Sequence, residues 1–259
     1  MSNELKKIEV CFSPATYHRF HNTEANVVIV DILRATSAMC TAFMNGVKSI
    51  IPVATLEEAK AFKLKSFLVA AERDGIKPDF ADFGNSPFNF TAERVGGKDV
   101  VYSTTNGTKA VEMAKACNKV LIGAYLNINA LAQLLISDNR DVVIFCAGWK
   151  DRFSLEDSLF AGALSELLIE SNLFYCDCDS AIASLDLWSL AKPDLNKYIL
   201  KVAQRSRLQK SGLDDSIEYC HTLNLTNIIP IYKDGFLSPS IQCEKNNKKA
   251  EKKNVFTDY

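Results

Sequence analysis

The sequence predicts an α/β fold, in which a largely parallel or mixed sheet is flanked by helices on both faces. Short β-rich runs alternate with amphipathic helical stretches along most of the 259 residues. Many of the runs are apolar throughout, which is typical of strands covered by helices on both sides. The composition, 47% apolar and 24% charged, is that of an ordinary globular protein. We expect one α/β unit over residues 1–240, or two close-packed α/β lobes over about 1–95 and 96–240, followed by a polar tail over 241–259.

Eight short runs rich in β-branched and aromatic residues predict the strands. In chain order they are IEVCF (8–12), NVVIVDI (26–32), SIIPV (49–53), FLVAA (67–71), DVVYST (99–104), KVLIGA (119–124), DVVIFCA (141–147) and NIIPIY (227–232). Amphipathic spacing predicts the helices between them, near 36–46, 55–65, 107–117, 127–137 and 155–171. Residues 177–221 are helical in pattern. They predict either a cover for a binding cleft or a subunit contact in a homodimer.

Charge and hydropathy exclude several classes of partner. The net charge is −1 and the isoelectric point is about 6.3, so we expect no broad electrostatic binding to nucleic acid or to a membrane surface. No apolar run approaches the roughly 20 residues needed to span a bilayer. The first residues, MSNELKKIEVCF, lack the apolar core of a signal peptide. We therefore expect a cytoplasmic protein.

The eight cysteines fit a reducing compartment. Most lie inside apolar segments, where free cysteine behaves as a small core residue. Cys176 and Cys178 have C-x-C spacing, but no second Cys or His pair follows at zinc-site spacing. We expect reduced thiols rather than a metal site.

Polar residues gather where the predicted strands end. In an open parallel sheet, ligands bind beyond the carboxyl ends of the strands. The second strand ends at Asp31, and Arg34 and Thr36 follow it. The fourth ends at Glu72 and Arg73. The loop DFGNSP adds Asn85 and Ser86, the next strand ends in STTNGT, and the segment after residue 147 carries Glu156 and Asp157.

The stretch STTNGT (103–108) has the features of an anion cradle. Small hydroxyl side chains and a glycine turn lead into a helix, so hydroxyl and backbone N–H groups are presented at a helix N-terminus. An Asn-Gly turn with threonine caps accounts for the same pattern without a ligand. The stretch does not match the P-loop motif.

The acids at the strand ends predict a magnesium site. Asp31, Glu72, Asp82 and Asp157 all follow strands, and Mg²⁺ prefers a few carboxylates together with water and phosphate oxygens. Glu156 and Asp157 have another explanation, because they lie in the first turn of a helix that Ser154 would cap.

Two arginines lie beside these acids. Arg34 and Arg73 are each close enough to a strand end to reach the cleft, and a guanidinium grips carboxylate, sulfonate or phosphate groups with two hydrogen bonds. Neutralising Asp31 and Glu72 as ion pairs is a compatible alternative. Together the acids, donors and arginines indicate a site for a small anionic phosphate ester.

The motifs VDILRATSA, AERDG, DFGNSP, TTNGTKAV and CAGWKDRFSLEDSLFAG, in this order, resemble the magnesium-dependent 2-phosphosulfolactate phosphatase family. The resemblance runs from the first strand to about residue 171. It implies hydrolysis of (R)-2-phospho-3-sulfolactate to 3-sulfolactate and phosphate, a step of coenzyme M biosynthesis, with Mg²⁺ bound in the cleft of an α/β fold. A related 2-phospho-hydroxy acid is the alternative substrate.

The resemblance also implies roles for residues of this chain. It nominates as catalytic Asp31, Arg34, Glu72, Arg73 and Asp157. It nominates as binding residues for the substrate and its phosphate Thr36, Asn85, Ser86, Thr104, Thr105, Asn106, Gly107 and Thr108. It nominates as metal ligands Asp31, Glu72, Asp157 and Glu156.

The nucleophile stays open between a water activated by the metal and Asp31 itself. Leu33 stands where the haloacid-dehalogenase scheme has its second acid, which argues against that scheme. Cys146 and Arg152 have the C-x₅-R spacing of cysteine phosphatases, but the nearby acids would oppose a thiolate. A binding protein without turnover is a further alternative. It would gain little from clustered acids without a metal.

Overall fold

The computed structural model describes residues 4–210 and 212–241. Ten strands form a single sheet: β1 (Lys6–Cys11), β2 (Asn26–Val30), β3 (Ser49–Pro52), β4 (Leu68–Ala71), β5 (Asp99–Ser103), β6 (Lys119–Gly123), β7 (Val142–Cys146), β8 (Phe174–Tyr175), β9 (Ile228–Lys233) and β10 (Phe236–Ile241). The helices are α1 (Ala35–Met44), α2 (Leu56–Leu64), α3 (Ala92–Val95), α4 (Gly107–Ala114), α5 (Ile128–Asp138), α6 (Leu155–Glu170), α7 (Asp179–Ala191), α8 (Leu195–Tyr198), α9 (Ala203–Lys210) and α10 (Ile217–Cys220).

The sheet is mixed, and most of its pairs are parallel. Its strand order is β4-β5-β3-β10-β9-β6-β2-β7-β1-β8. The three strands at one end pair in parallel, and so do the five at the other end. The hairpin β9–β10 joins the two groups through antiparallel pairs with β6 and β3. The two parallel groups therefore run in opposite directions.

The core lies on both faces of the sheet, as expected. Along β2, Val28 and Val30 pack with side chains of α5, α6 and α7, whereas Val27 and Ile29 pack with side chains of α1 and α4. All five residues of β2 are buried, because the strand lies between β6 and β7 with helices above and below it. This explains why its sequence is a continuous apolar run. A smaller cluster lies between α2 and the β4–β5 pair.

The predicted elements agree with the structure to within about three residues at each end. The sequence analysis missed two strands, the two-residue β8 and the terminal strand β10. β10 ends at residue 241, where the predicted polar tail begins, and residues 242–259 lie outside the described part of the chain. The division into lobes near residue 95 stays a prediction. No helix in the described ranges has the length and apolar character needed to cross a membrane.

The cysteines of the described residues are free thiols. Four of the seven are buried and three are half-buried, in keeping with the expected reduced core residues. Cys243 lies outside the described residues.

Candidate active site

The carboxyl ends of β2, β5 and β7 meet at one cleft, although β5 belongs to the group of strands that runs in the opposite direction. Neighbouring strands are rotated by roughly 20–25° relative to each other, and five such steps separate β2 from β5, so the twist adds up between them. The helices that follow the two strands meet at their first turns: a Cβ placed on Gly107 of α4 would lie 2.7 Å from the Cβ of Ala35 in α1. The space between the cleft walls is about 590 Å³, open solvent included.

Seven of the predicted site residues line the cleft. They are Asp31, Arg34, Glu72, Asn85, Asn106, Glu156 and Asp157. The other lining residues are Leu33, Asp74, Gly75, Gly148, Trp149, Gln204, Arg207, Leu208 and Leu213.

Asp31 lies between the end of β2 and the first turn of α1. Its Oδ1 accepts a long hydrogen bond from the Ala35 N–H at 3.4 Å. The Thr36 hydroxyl donates to the Asp31 carbonyl at 3.0 Å, so Thr36 positions the backbone here and does not itself line the cleft. Burial, followed by the charges of Glu72 and Glu156, raises the pKa of Asp31 to about 7. Asp31 is thus able to hold or release a proton near neutral pH.

Asp157 and Glu156 lie in the first turn of α6. Ser154 caps this helix, because its hydroxyl accepts from the Asp157 N–H at 3.3 Å, as the sequence analysis expected. Burial raises the pKa of both carboxyls, and for Asp157 the charges of Glu156 and Asp31 raise it further. Capping therefore explains the position of the pair in the sequence, while the side chains still line the cleft.

The anion cradle predicted for STTNGT holds a carboxylate of the protein. Oε1 of Glu72 accepts from the Thr105 N–H at 2.7 Å, and its Oε2 accepts from the Gly75 N–H at 2.8 Å. Thr104 and Thr108 bond to each other: each threonine hydroxyl accepts from the other's N–H. The Asn-Gly turn with threonine caps accounts for these contacts. Phosphate binding by the turn stays a prediction.

Arg34 is buried at the floor of the cleft, with 3% of its surface exposed. Its Nη2 donates to Asn85 Oδ1 at 2.8 Å and its Nη1 to the Leu213 carbonyl at 3.0 Å. Its Nε has no partner within the described ranges. Arg34 Nη1 also lies 4.0 Å from Asp215 Oδ1, so Arg34 brings a buried positive charge to the same cleft as Asp31.

Arg73, Ser86 and Asp82 lie away from the cleft. The Arg73 guanidinium donates to the carbonyls of Glu72 and Ala54 and to the Ser103 hydroxyl, so three neighbouring acceptors hold it in a structural position. Asp82 accepts from the Lys63 ammonium at 2.6 Å and from the Val69 N–H at 2.8 Å. The expectation that Asp82 shares a cation with the other acids is wrong, because Lys63 already neutralises it.

Cys146 lies at the end of β7 and is fully buried. Burial raises the pKa of its thiol well above the usual range, and the charge of Asp157 raises it further. Arg152 is exposed, and neither residue lines the cleft. The cysteine-phosphatase alternative is therefore not favoured, since its nucleophile must be an accessible thiolate.

The donor set of the cleft is rich in carboxylates. Five acids and two guanidiniums line it, and four of the acids, all but the exposed Asp74, are buried. Buried acids without a full complement of cations are unfavourable unless they bind a cation or a proton. Carboxylates are the ligands that Mg²⁺ prefers. Across residues 4–210 and 212–241, no three His, Cys, Asp or Glu side chains are grouped closely enough to hold a metal ion as they stand. The chemistry of the donors fits Mg²⁺, and the ligand set stays a prediction.

Sequence analysis missed the residues that α9 and the segment after it bring to the cleft, namely Gln204, Arg207, Leu208 and Leu213. The helix sequence AQRSRLQK is polar and has the pattern of a solvent-exposed helix, so no local signal identifies its role. Of the two roles expected for residues 177–221, a cover for the cleft is the one that α9 takes. The homodimer stays a prediction.

Comparison with known sequences agrees with the motifs. A profile described as 2-phosphosulpholactate phosphatase matches residues 11–235. A probable 2-phosphosulfolactate phosphatase of Caldanaerobacter subterraneus subsp. tengcongensis is 38% identical over 221 residues, which cover 84% of this chain and 91% of the relative. One from Thermotoga maritima is 35% identical over 208 residues, and one from Clostridium acetobutylicum is 32% identical over 212. Each covers 80% of this chain and 89% of the relative. The chain therefore belongs to the 2-phosphosulfolactate phosphatase family.

Proposed function

We propose that this chain is a phosphoric monoester hydrolase that converts (R)-2-phospho-3-sulfolactate to 3-sulfolactate and phosphate with the help of Mg²⁺. The observation that carries the proposal is the cleft itself, where four buried carboxylates lie with the guanidiniums of Arg34 and Arg207. A substrate with three anionic groups needs several cationic partners, and phosphoryl transfer depends mainly on positioning and charge neutralisation. The relatives are named as probable phosphatases of this substrate.

We assign a role to each group that lines the cleft. Asp31, Glu72, Glu156 and Asp157 are the residues that would hold Mg²⁺. When bound, the ion would supply charge neutralisation at the phosphoryl oxygens. Backbone N–H groups hold both oxygens of Glu72 and both of Asp157, which orients these two side chains for such a role.

Asp31 is the residue best placed to act on a proton or on phosphorus. Without a metal its carboxyl has a pKa of about 7, and a bound Mg²⁺ would lower that pKa and keep the group ionised at neutral pH. Attack by Asp31 on phosphorus would instead give an aspartyl phosphate. Arg34 lies one turn away and would bind an anionic group of the substrate with its unpartnered Nε and the adjacent Nη groups.

The test is phosphate release from 2-phospho-3-sulfolactate, 2-phospholactate, phosphoglycerate and an aryl phosphate, each with Mg²⁺ and with EDTA. We expect release that depends on Mg²⁺, is confined to the 2-phospho-hydroxy acids and is fastest with 2-phospho-3-sulfolactate. A folded protein that binds these compounds without releasing phosphate would instead be a metabolite-binding protein. Equal release in EDTA would remove magnesium from the proposal.

The biological setting is part of the same proposal. The family resemblance implies that the 3-sulfolactate formed here serves coenzyme M biosynthesis, and the composition of the sequence is the ground for proposing that the enzyme works in the cytoplasm. Deletion of the gene in its host is expected to deplete 3-sulfolactate and to raise 2-phospho-3-sulfolactate. Unchanged levels of both acids would contradict the assignment.

A further inference from the structure

Helix α9 brings a second guanidinium to the cleft, at its mouth rather than its floor. Leu208 is 5% exposed and packs into the core, which anchors the helix. Arg207, one residue earlier, is exposed and lines the cleft together with Gln204. Arg34 lies on the floor with 3% of its surface exposed. The two arginines therefore face the same space at different depths.

The Arg207 guanidinium is held in place but remains available. It lies over the Trp149 ring, with 4.8 Å between its Cζ and the ring centroid, and such stacking fixes the plane of the group. Its Nη1 donates to Gln204 Oε1 at 2.6 Å. No carboxylate of the described residues lies within salt-bridge distance of it. A guanidinium that is stacked, oriented by one hydrogen bond and free of an ion pair is suited to binding an oxyanion of the substrate.

The positions of the carboxylate and the sulfonate in the substrate match the different depths at which Arg34 and Arg207 lie in the cleft. In 2-phospho-3-sulfolactate the carboxylate is attached to the carbon that carries the phosphate, whereas the sulfonate is one carbon further away. With the phosphate beside the acids of the floor, the carboxylate comes next to Arg34 and the sulfonate extends toward the mouth. Arg73, the other arginine that the sequence analysis offered for this task, is held away from the cleft by its own acceptors.

We propose that Arg207 is a specificity-determining residue that binds the sulfonate of the substrate at the mouth of the cleft, held there by Trp149 and Gln204. The inference rests on the proposed function. It assigns the preference for a sulfonated substrate to α9, which lies outside the motifs that carry the family resemblance.

The experiment compares two substrates that differ at one end. Wild type, Arg207→Gln and Arg205→Gln are assayed with 2-phospho-3-sulfolactate and with 2-phospholactate, which has a methyl group in place of the sulfonate-bearing carbon. Arg205 is on the same helix but does not line the cleft, so its variant controls for the loss of one charge and for changes in the helix. We expect R207Q to lower kcat/KM for the sulfonated substrate by roughly 10- to 100-fold, the effect of a charge-assisted hydrogen bond. We expect a clearly smaller loss with 2-phospholactate, because there R207Q removes only the charge of Arg207 near Glu156.

The outcomes separate this inference from the function. Wild-type turnover of 2-phospho-3-sulfolactate supports the phosphatase function. Equal losses by R207Q on both substrates would overturn the role of Arg207 but not the function. Equal effects of R207Q and R205Q would do the same. Absence of wild-type turnover on both substrates would overturn both. Should R207Q fail to fold, Arg207→Lys keeps a positive charge on the same helix. It is expected to retain part of the preference for the sulfonate, and a preference equal to that of wild type would remove the need for a guanidinium.

Discussion

The Asp157 carboxylate accepts a hydrogen bond from the Ile32 N–H at 2.9 Å, so the first turn of α6 is joined to the residue that follows Asp31. Its second oxygen accepts from the Gly148 N–H at 3.1 Å. Asparagine offers one acceptor oxygen and turns an NH₂ group toward the other N–H. We expect Asp157→Asn to lower the free energy of unfolding by about 1–3 kcal/mol and to lose most phosphatase activity. Urea unfolding and phosphate release on the same preparation check this, and unchanged stability would show that the two contacts contribute little.

Asp31→Asn should have a different effect, because burial and the charge of Glu72 disfavour the ionised carboxylate. The Ala35 N–H donates a long hydrogen bond to it at 3.4 Å, and the Gly107 N–H of α4 also favours its charged form. We expect turnover to fall by roughly 10²- to 10⁴-fold, the range for loss of an acid–base group, with thermal stability intact or slightly higher. Phosphate release and the thermal midpoint, both measured with Mg²⁺, test this. Retained turnover would contradict the catalytic role, and global unfolding would mark Asp31 as structural.

The raised pKa of Asp31 predicts a pH dependence of stability. The ordinary pKa of aspartate is 3.8, and burial with the nearby acids raises the pKa of Asp31 to about 7. Between these values the folded protein holds a proton that the unfolded chain has lost. The stabilising contribution is therefore complete below about pH 4, falls by up to about 1.4 kcal/mol per pH unit as pH rises, and is gone above about pH 7.

Asp31 is not the only acid that makes the free energy of unfolding depend on pH. Acids with a lowered pKa, such as Asp82 and Asp99, lose their stabilising contribution at low pH, so the effect of Asp31 is measured as the difference between wild type and D31N. The free energy of unfolding is measured in EDTA at pH 5, 6, 7 and 8 for wild type and for D31N. The wild-type value minus the D31N value is expected to fall from pH 5 to 7 and then to level off. Added Mg²⁺ should stabilise wild type more at pH 8 than at pH 5, because metal binding requires deprotonated ligands. A flat difference would show that Asp31 titrates normally.

Much of this site was predictable from local sequence. Strands such as β2 are buried on both faces and therefore appear as apolar runs, and the polar residues at their ends stand out from those runs. Asp31, Glu72 and Asp157 were found in this way, and all three line the cleft.

The remainder depends on contacts between distant segments. The local sequence around Arg73 does not show that Ala54 and Ser103 accept its hydrogen bonds. The local sequence around Asp82 likewise does not show that Lys63 lies beside it. The opposite direction of the two parallel groups follows from β10, whose pairing with β3 could not be inferred from local pattern. Arg207 lies in a polar helix, and only the tertiary fold brings it to Trp149.

Cys146→Ala tests the alternative nucleophile. The thiol is fully buried and burial holds its pKa well above the usual range, so it is neither accessible nor ionised. We expect unchanged kcat/KM and a loss of about 1–2 kcal/mol in the free energy of unfolding, the usual effect of a small core truncation. Phosphate release and urea unfolding measure the two quantities. A large loss of turnover in a folded C146A variant would restore the cysteine mechanism.

Gly107→Ala tests the close approach of α1 and α4. The added Cβ would lie 2.7 Å from the Cβ of Ala35 and 3.1 Å from Oδ2 of Asp31, so the two first turns must move apart. Alanine favours a helix over glycine by about 1 kcal/mol, but overpacking costs about 1–3 kcal/mol. We expect a net loss of stability together with reduced kcat, because Asp31 is displaced.

Gly84→Ala is the matched control: its Cβ would lie 3.8 Å from the nearest atoms, those of Asn89 and Lys77, and it should leave both quantities unchanged. Equal kcat for G107A and wild type would show that the spacing of the two helices does not set the position of Asp31.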